Sequence, residues 1–356
     1  MKDGKTVVGI VGCGNIAGGY AKDLASYPEI RLAGGADVEP GRARALANQY
    51  GGKSYATTEE LLADESVDIA VNLTIHHAHY EVTRQCLEAG KHVFSEKPMA
   101  LTAEEARDLV KRAESRGLRL GCSPFTYMGE AQQTAWKLIR DGFTGPVRLV
   151  YAEVNHGRIE AWHPNPAPFY EVGPWFDVGV YPLTLLTTFF GPARRVQAYG
   201  RVLYPDRLNK ANEPFRIETP DCVLAVVELA DGPVARLTVN FYVGSTGQHG
   251  LEFHGDAGTV QLGCFQAFQA PVAAAKFGKE FEDVPLVKEP YPGTEWGRGV
   301  RDMAAAIREE RPHRATGVQA AHVVEILTGA VRSLQTGAPV TIESDFPRPA
   351  PMEWAL

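Results

Sequence analysis

The sequence predicts an α/β fold, with a doubly wound parallel sheet first and then an α+β domain built on an open, mostly antiparallel sheet. Three observations carry this expectation. Short apolar runs alternate with amphipathic stretches from Thr6 to Ser123, a glycine-rich turn joins the first such pair, and beyond Pro124 longer stretches alternate apolar and polar residues. A chain of 356 residues exceeds what one core usually organises, so two domains are expected, 1–123 and 124–356.

Thr6 to Val11 reads as a buried strand, Ile16 to Ser26 as a helix, Arg31 to Asp37 as a strand and Gly41 to Tyr50 as a helix. Thr58 to Ala63 makes a short helix, Val67 to Thr74 a strand, His79 to Ala89 a helix and Lys91 to Ser95 a strand. Thr102 followed by Glu105 is a capping box opening a helix to Arg116, and Leu118 to Cys122 is one more strand. In the second half a helix, Glu130 to Arg140, precedes strands at Val147 to Val154, Val196 to Leu203, Cys222 to Leu229, Val234 to Tyr242 and Leu251 to His254. Helices Arg298 to Arg308 and Val318 to Leu334 come late, and a ligand cleft is expected between the two domains.

With 44% hydrophobic and 22% charged residues the composition is that of a globular protein with ample core material. A formal net charge of -7 argues against nucleic acid or an anionic membrane as partner, and leaves small neutral or polar molecules. Cys13, Cys86, Cys122, Cys222 and Cys264 are scattered and never spaced as Cys-x-x-Cys, which suits reduced thiols and a cytoplasmic location. The apolar stretch after Met1 to Lys5 is too short for a signal peptide core, and no later run is long enough for a transmembrane span.

Gly12-Cys13-Gly14-Asn15-Ile16-Ala17 follows the first strand and opens the first helix, the G-x-G-x-x-A pattern of a dinucleotide-binding turn. Gly12 permits the tight turn, Gly14 lets the backbone approach a pyrophosphate, and Asn15 and Ile16 begin the helix whose N–H groups bind phosphate. Asp37, at the end of the second strand, would accept both adenine-ribose hydroxyls and repel a 2′-phosphate, so NAD is the expected cofactor. Arg42 and Arg44 follow closely and keep NADP as the second choice. Lys97, in Glu96-Lys97-Pro98, stands just past the strand ending at Ser95, at the sheet edge where such folds bind ligands. His76, His77 and His79 cluster as metal ligands do, yet no cysteine or carboxylate follows at ligand spacing and no metal is expected. The segment 155–166 supplies His156, Arg158, Trp162 and His163, a mixture of rings and hydrogen-bonding groups suited to a sugar.

The glycine turn, Leu73 to His79, Ala89-Gly90-Lys91-His92-Val93-Phe94-Ser95-Glu96-Lys97-Pro98, and Asp177-Val178-Gly179-Val180-Tyr181 occur in an order that resembles the Gfo/Idh/MocA oxidoreductases along essentially the whole chain. The resemblance implies a Rossmann domain, NAD(P)-dependent hydride transfer at a hydroxyl carbon of a sugar, polyol or related alcohol, and a homodimer or homotetramer formed through the C-terminal sheet. It makes Lys97 the catalytic lysine with a cis peptide before Pro98, and puts Thr74, His76, His79, Glu96 and Lys97 on the cofactor. Asp177, Gly179 and Tyr181 match the family's D-x-G-x-H-x-x-D signature in part, with Tyr181 in place of histidine and Thr184 in place of the second aspartate. Tyr181 then becomes the proton-transferring group, and Asp177 either binds a substrate hydroxyl or positions the lysine. Pro182 belongs in a first helical turn, which holds Tyr181 at a helix start. Two other functions stay open at this point: an NAD-using glycosidase with transient redox, and a non-catalytic dinucleotide or sugar sensor.

Overall fold

A computed structural model describes residues 4–356. The chain divides into two compact units, Met1–Phe125 with Glu295–Val324, and Thr126–Thr294 with Glu325–Leu356. A boundary at 123/124 assigns Glu295–Val324 to the second domain, whereas in the structure it packs within the first. Tyr27 donates its hydroxyl to Glu295 at 2.6 Å, Gly297 donates its N–H to Asp23 at 3.1 Å, and Cys122 donates its N–H to the Ala315 carbonyl at 3.0 Å. These bonds are long-range in sequence, so no local pattern announces them.

The first unit begins β1 (Thr6–Val11), α1 (Ala17–Ser26), β2 (Ile30–Ala36), α2 (Pro40–Tyr50), β3 (Lys53–Ser54), α3 (Thr58–Ala63), β4 (Ile69–Asn72), α4 (His79–Glu88), β5 (His92–Ser95), α5 (Ala103–Ser115) and β6 (Leu120–Cys122). All six strands pair in parallel in the order β3-β2-β1-β4-β5-β6. The order reverses between β1 and β4, and the crevice beyond the carboxyl ends of those strands is where such sheets bind ligands. Every residue of β1 is buried, as a strand covered on both faces requires. The capping box at Thr102 and Glu105 opens α5 as expected. Lys91 is a buried lysine whose Nζ donates to the Asp64 and Val67 carbonyls at 2.8 and 3.0 Å, tying the start of β5 to the turn before β4.

The second unit contains α6 (Glu130–Arg140), β7 (Val147–Asn155), α7 (Ala167–Asp177), α8 (Val180–Phe190), β8 (Ala193–Arg201), β9 (Asp206–Leu208), β10 (Pro214–Arg216), β11 (Cys222–Leu229), β12 (Val234–Asn240), β13 (Gly250–Gly255), β14 (Gly258–Leu262), β15 (Val272–Lys276) and β16 (Glu282–Asp283). The chain then forms α9 (Arg298–Arg308), α10 (Gly317–Thr336) and β17 (Val340–Thr341). Nine strands make one sheet in the order β16-β15-β14-β13-β7-β12-β11-β8-β17, and β9 pairs with β10 as a separate hairpin. β7 and β12 run parallel while the other pairs are antiparallel. Period-two burial puts Val223, Ala225, Val227 and Leu229 of β11 into the core and turns Leu224 and Val226 outward.

The sequence reading places a helix start at Tyr181 and Pro182, but it misses α7 and the extent of α8, for a physical reason. All eleven residues of α8 are buried, so it has no polar face and its helical period is silent. α7 is two helical pieces joined at Gly173 and Pro174, which breaks the pattern midway.

Candidate active site

In the first unit the phosphate turn rests on backbone geometry. Gly12 has φ 91°, and a Cβ there would meet the Leu73 carbonyl and Thr74 N at 2.8 Å, so a side chain is excluded by the end of β4. A Cβ on Gly14 would meet nothing within 4 Å, which leaves its outer side open to a ligand. Ile16, the N-cap of α1, has no side-chain acceptor to offer the N–H groups of the first turn, and a phosphate can take them. Asp37 lies one residue past β2. Its Oδ2 accepts the Cys13 N–H at 2.7 Å and its Oδ1 the Glu39 N–H at 2.8 Å, so the turn itself holds the carboxylate. Arg42 pairs with Glu39 at 2.8 Å on the exposed side of α2, and Arg44 is exposed on the same helix. These residues fit a dinucleotide: Gly12, Gly14, Asn15 and Ile16 would hold its pyrophosphate and Asp37 its adenine ribose.

The loop after β4 is organised by Asn72, a buried polar residue that sequence reasoning overlooked. Its Nδ2 donates to the His79 carbonyl and to Thr83 Oγ1, both at 3.0 Å, while its Oδ1 accepts from Thr74 Oγ1 at 2.6 Å. The available signal was an asparagine in the apolar run Ile69-Ala70-Val71-Asn72-Leu73, since a buried polar group must be paired. His76 and His77 form a 3₁₀ turn that is open to solvent, and Ile75 is exposed.

The side chain of His79 is buried and does not line an open face. Its Nδ1 lies 2.7 Å from the Pro98 carbonyl and its Nε2 3.1 Å from the Thr74 carbonyl. Burial pushes this imidazole down to about 4 against the opposing pull of the two carbonyls. The ring is therefore neutral near pH 7, with a single N–H between the two carbonyls. His79 thus joins the Thr74 loop to the turn that carries Lys97, and its ring stands 6.0 Å from that of His76.

The Lys97-Pro98 peptide is cis, as the resemblance implies, and Ser123-Pro124 is cis as well. Lys97 is half-buried at the carboxyl end of β5. Glu96 is buried with both carboxylate oxygens engaged, Oε1 by the Tyr20 hydroxyl at 2.7 Å and Oε2 by the Lys97 N–H at 3.0 Å. Among the described residues no group of three or more His, Cys, Asp and Glu side chains converges in a way that could hold a metal ion.

In the second unit Asp177 is the last residue of α7 and is buried. Tyr181 is the second residue of α8, with Pro182 in the first turn as expected, and its ring lies 5.6 Å from that of Phe265. It is 8% exposed, deeper than a helix start on an open cleft wall would suggest.

The segment 156–163 forms an aromatic cluster. The His156 ring is 5.9 Å from Trp162 and 5.6 Å from Phe241, and Trp162 is 5.3 Å from His163. Arg158 lies over Tyr204 at 4.6 Å and Tyr242 at 5.0 Å. Beneath this segment sits a network invisible in sequence. Arg207, on β9, is fully buried and donates to Glu160 at 2.7 Å, to the Tyr170 hydroxyl at 2.7 Å and to Asp221 at 2.5 Å. Tyr170 in turn donates to Glu160 at 2.5 Å, and burial pushes its phenol up. Four separated stretches meet there, and each residue alone looks like an ordinary surface polar group.

Fold and turn together define a dinucleotide-binding α/β protein with a second, sheet-based unit. Family models match both parts: residues 6–123 match the oxidoreductase family with an NAD-binding Rossmann fold, and residues 132–261 match the GFO/IDH/MocA C-terminal domain. The chain belongs to the Gfo/Idh/MocA oxidoreductase family. It is 31% identical over 204 residues to trans-1,2-dihydrobenzene-1,2-diol dehydrogenase of Mus musculus, a match covering 54% of this chain and 60% of that protein. A second relative, the D-xylose 1-dehydrogenase (NADP(+)) of Hypocrea jecorina, is 31% identical over 198 residues, covering 49% of this chain and 51% of the relative. The WlbA dehydrogenase from Bordetella pertussis, solved in complex with NADH and UDP-GlcNAcA, shares the fold with a TM-score of 0.80 at 22% identity, over 97% of this chain and 100% of that one.

Proposed function

We propose that this protein is an NAD-dependent dehydrogenase that oxidises a hydroxyl carbon of a sugar, polyol or related diol, or reduces the corresponding carbonyl. The observation that carries the reading is Lys97, held at the carboxyl end of β5 beside the switch point of a sheet whose glycine turn fits a dinucleotide. The dehydrogenase activities named for the mouse and Hypocrea relatives support it, as does an NADH complex of a protein with this fold. A bound nicotinamide supplies the two-electron acceptor at its ring carbon. In the proposed reaction Tyr181 receives the proton of the substrate hydroxyl. A phenol near pKa 10 is a weak base at neutral pH, and positive charge at the reacting centre favours its ionised form. Asp177 binds a second substrate hydroxyl. His156, Arg158, Trp162 and His163 supply rings and donors to the rest of the sugar, on a segment anchored by Arg207. Asp37 sets the preference for NAD over NADP.

The test is a panel of sugars, polyols and vicinal diols with NAD or NADP, read by nicotinamide absorbance. Stoichiometric reduction of NAD with at least one neutral substrate is expected, and Lys97→Ala should abolish it while dinucleotide binding persists. Cleavage of a glycoside with no net NAD reduction would move the assignment to the transient-redox glycosidases. Absence of any turnover across the panel would leave a sensor.

We further propose that the outward face of β11 and β8 joins a second copy of the chain. Leu224 stands opposite Tyr199 across that pair, and Leu224, Val226 and Tyr199 are exposed apolar groups on one sheet face. Light scattering should show a dimer or tetramer that Leu224→Glu weakens. A wild-type monomer at micromolar concentration would remove this part of the reading. The five cysteines are free thiols, which supports a cytoplasmic setting, and the net charge of -7 favours a small polar substrate over nucleic acid or an anionic membrane. Among the described residues no helix is long and apolar enough to cross a membrane.

A further inference from the structure

We propose that Tyr20 is a positioning residue for Lys97, acting through the buried carboxylate of Glu96; this rests on the dehydrogenase reading above. Tyr20 is the fourth residue of α1, the helix whose amino end closes the phosphate turn. It is fully buried, its hydroxyl donates to Glu96 Oε1 at 2.7 Å, and Ser123 Oγ lies 3.0 Å from the same phenol oxygen. Glu96 is 5% exposed and uses its other oxygen to accept the Lys97 N–H at 3.0 Å. One carboxylate therefore spans from the cofactor helix to the peptide that carries the catalytic lysine.

Packing alone does not call for this hydroxyl. The Tyr20 ring sits 5.8 Å from the Trp296 ring, a contact phenylalanine would make equally well. The hydroxyl instead answers the needs of a buried charge, because a carboxylate out of water stays ionised only with donors and positive charge close by. Its donors are the Tyr20 hydroxyl and the Lys97 N–H. The fields of Glu96 and Lys97 both act on the Cys122 thiol, which burial raises well above its ordinary value. That thiol donates to the Glu96 carbonyl at 3.6 Å, and the Ser95 hydroxyl donates to the same carbonyl at 3.0 Å. His79, beyond Pro98, is kept neutral by burial. Around Glu96, then, Cys122, Ser95, Ser123 and His79 are uncharged near pH 7.

Removing the phenol hydroxyl takes from Glu96 one of its two donors and leaves its Oε1 unpaired in a buried site. The carboxylate is then free to shift, and the Lys97 peptide it holds through Oε2 loses its fixed position.

The experiment is kcat and dinucleotide KM for wild type, Tyr20→Phe, Glu96→Gln and the double variant. In Tyr20→Phe kcat should fall about tenfold with the dinucleotide KM changed less than about twofold, and in the Glu96→Gln background Tyr20→Phe should cost little more. Ser123→Ala should lower kcat in the same direction by less. The Lys97 amide ¹H–¹⁵N signal reads the same coupling without turnover, and should move in Tyr20→Phe. Should wild type turn over nothing on the panel, the dehydrogenase reading fails, and the amide signal still decides whether Tyr20 holds the Lys97 peptide. Full additivity of the two substitutions, or an unmoved Lys97 amide signal, would overturn the proposal.

Discussion

The two units hold their candidate residues by different means. In the first, the parts are fixed by main chain: the phosphate turn by Gly12 against the end of β4, Asp37 by the Cys13 N–H, and the Lys97 turn by the Lys97 N–H on neighbouring Glu96. In the second, the aromatic segment is anchored by side chains from distant stretches meeting at Arg207. Binding an invariant cofactor suits a frame set by main chain. Binding a variable substrate suits a surface whose shape is set by exchangeable side chains, and such a surface leaves little trace in sequence order.

If Tyr181 is the proton-transferring group of the second unit, Tyr181→Phe should slow single-turnover NAD reduction by about 10²- to 10⁴-fold with little change in melting temperature. Wild-type single-turnover rates in that variant would leave the second unit with no role in the chemistry beyond binding. Arg207→Leu should unfold the second unit preferentially. It leaves Glu160 and Asp221 as buried carboxylates without their cation, a loss of about 3 to 5 kcal/mol. Urea denaturation followed by fluorescence from Trp162 and Trp175 against Trp296 would show it, and equal loss in both units would blur the contrast.

Acid should act on the first unit. Burial pushes His79 and His313 down to about 4, so both are neutral in the fold and protonate in the unfolded chain from about 6.5. Between those values the unfolded state binds more protons, and stability falls as pH drops, by about 2 kcal/mol for each histidine at pH 5. Urea midpoints at pH 7 and 5 measure this, and His313→Gln should flatten the dependence by about half; an unchanged slope would exclude His313 as a contributor. Smallest is the cofactor preference: NAD should bind at least about tenfold tighter than NADP, roughly 1.4 kcal/mol. Equal binding would transfer attention to Arg42 and Arg44.

How far the sequence could be read follows the same division. The glycine turn, the capping box at Thr102 and the run Lys91 to Pro98 are legible because each is a short contiguous motif, although Gly12 and Lys91 make their decisive contacts with distant residues. Strand periodicity in β7, β11 and β12 is legible because one face of that sheet is buried and the other is not. α8 is not, since burial on all sides erases its period. The return of Glu295–Val324 to the first unit, the roles of Asn72 and Tyr20, and the Arg207 network all depend on pairings across long stretches of chain. His79 shows the middle case. Its place near the cofactor loop could be anticipated, but the partners of its ring, the Pro98 and Thr74 carbonyls, could not.

The bond between Asp37 and the Cys13 N–H constrains how this protein could change its dinucleotide preference. Exchanging Asp37 for serine or arginine to admit a 2′-phosphate would also strip a partly buried main-chain donor of its acceptor, at a cost of about 1 to 3 kcal/mol. Asparagine keeps an acceptor oxygen at that position while discarding the charge. On the proposed NAD preference, a mutational path toward NADP would therefore pass most easily through Asp37→Asn, with a second change supplying a cation for the phosphate only after the turn is secure.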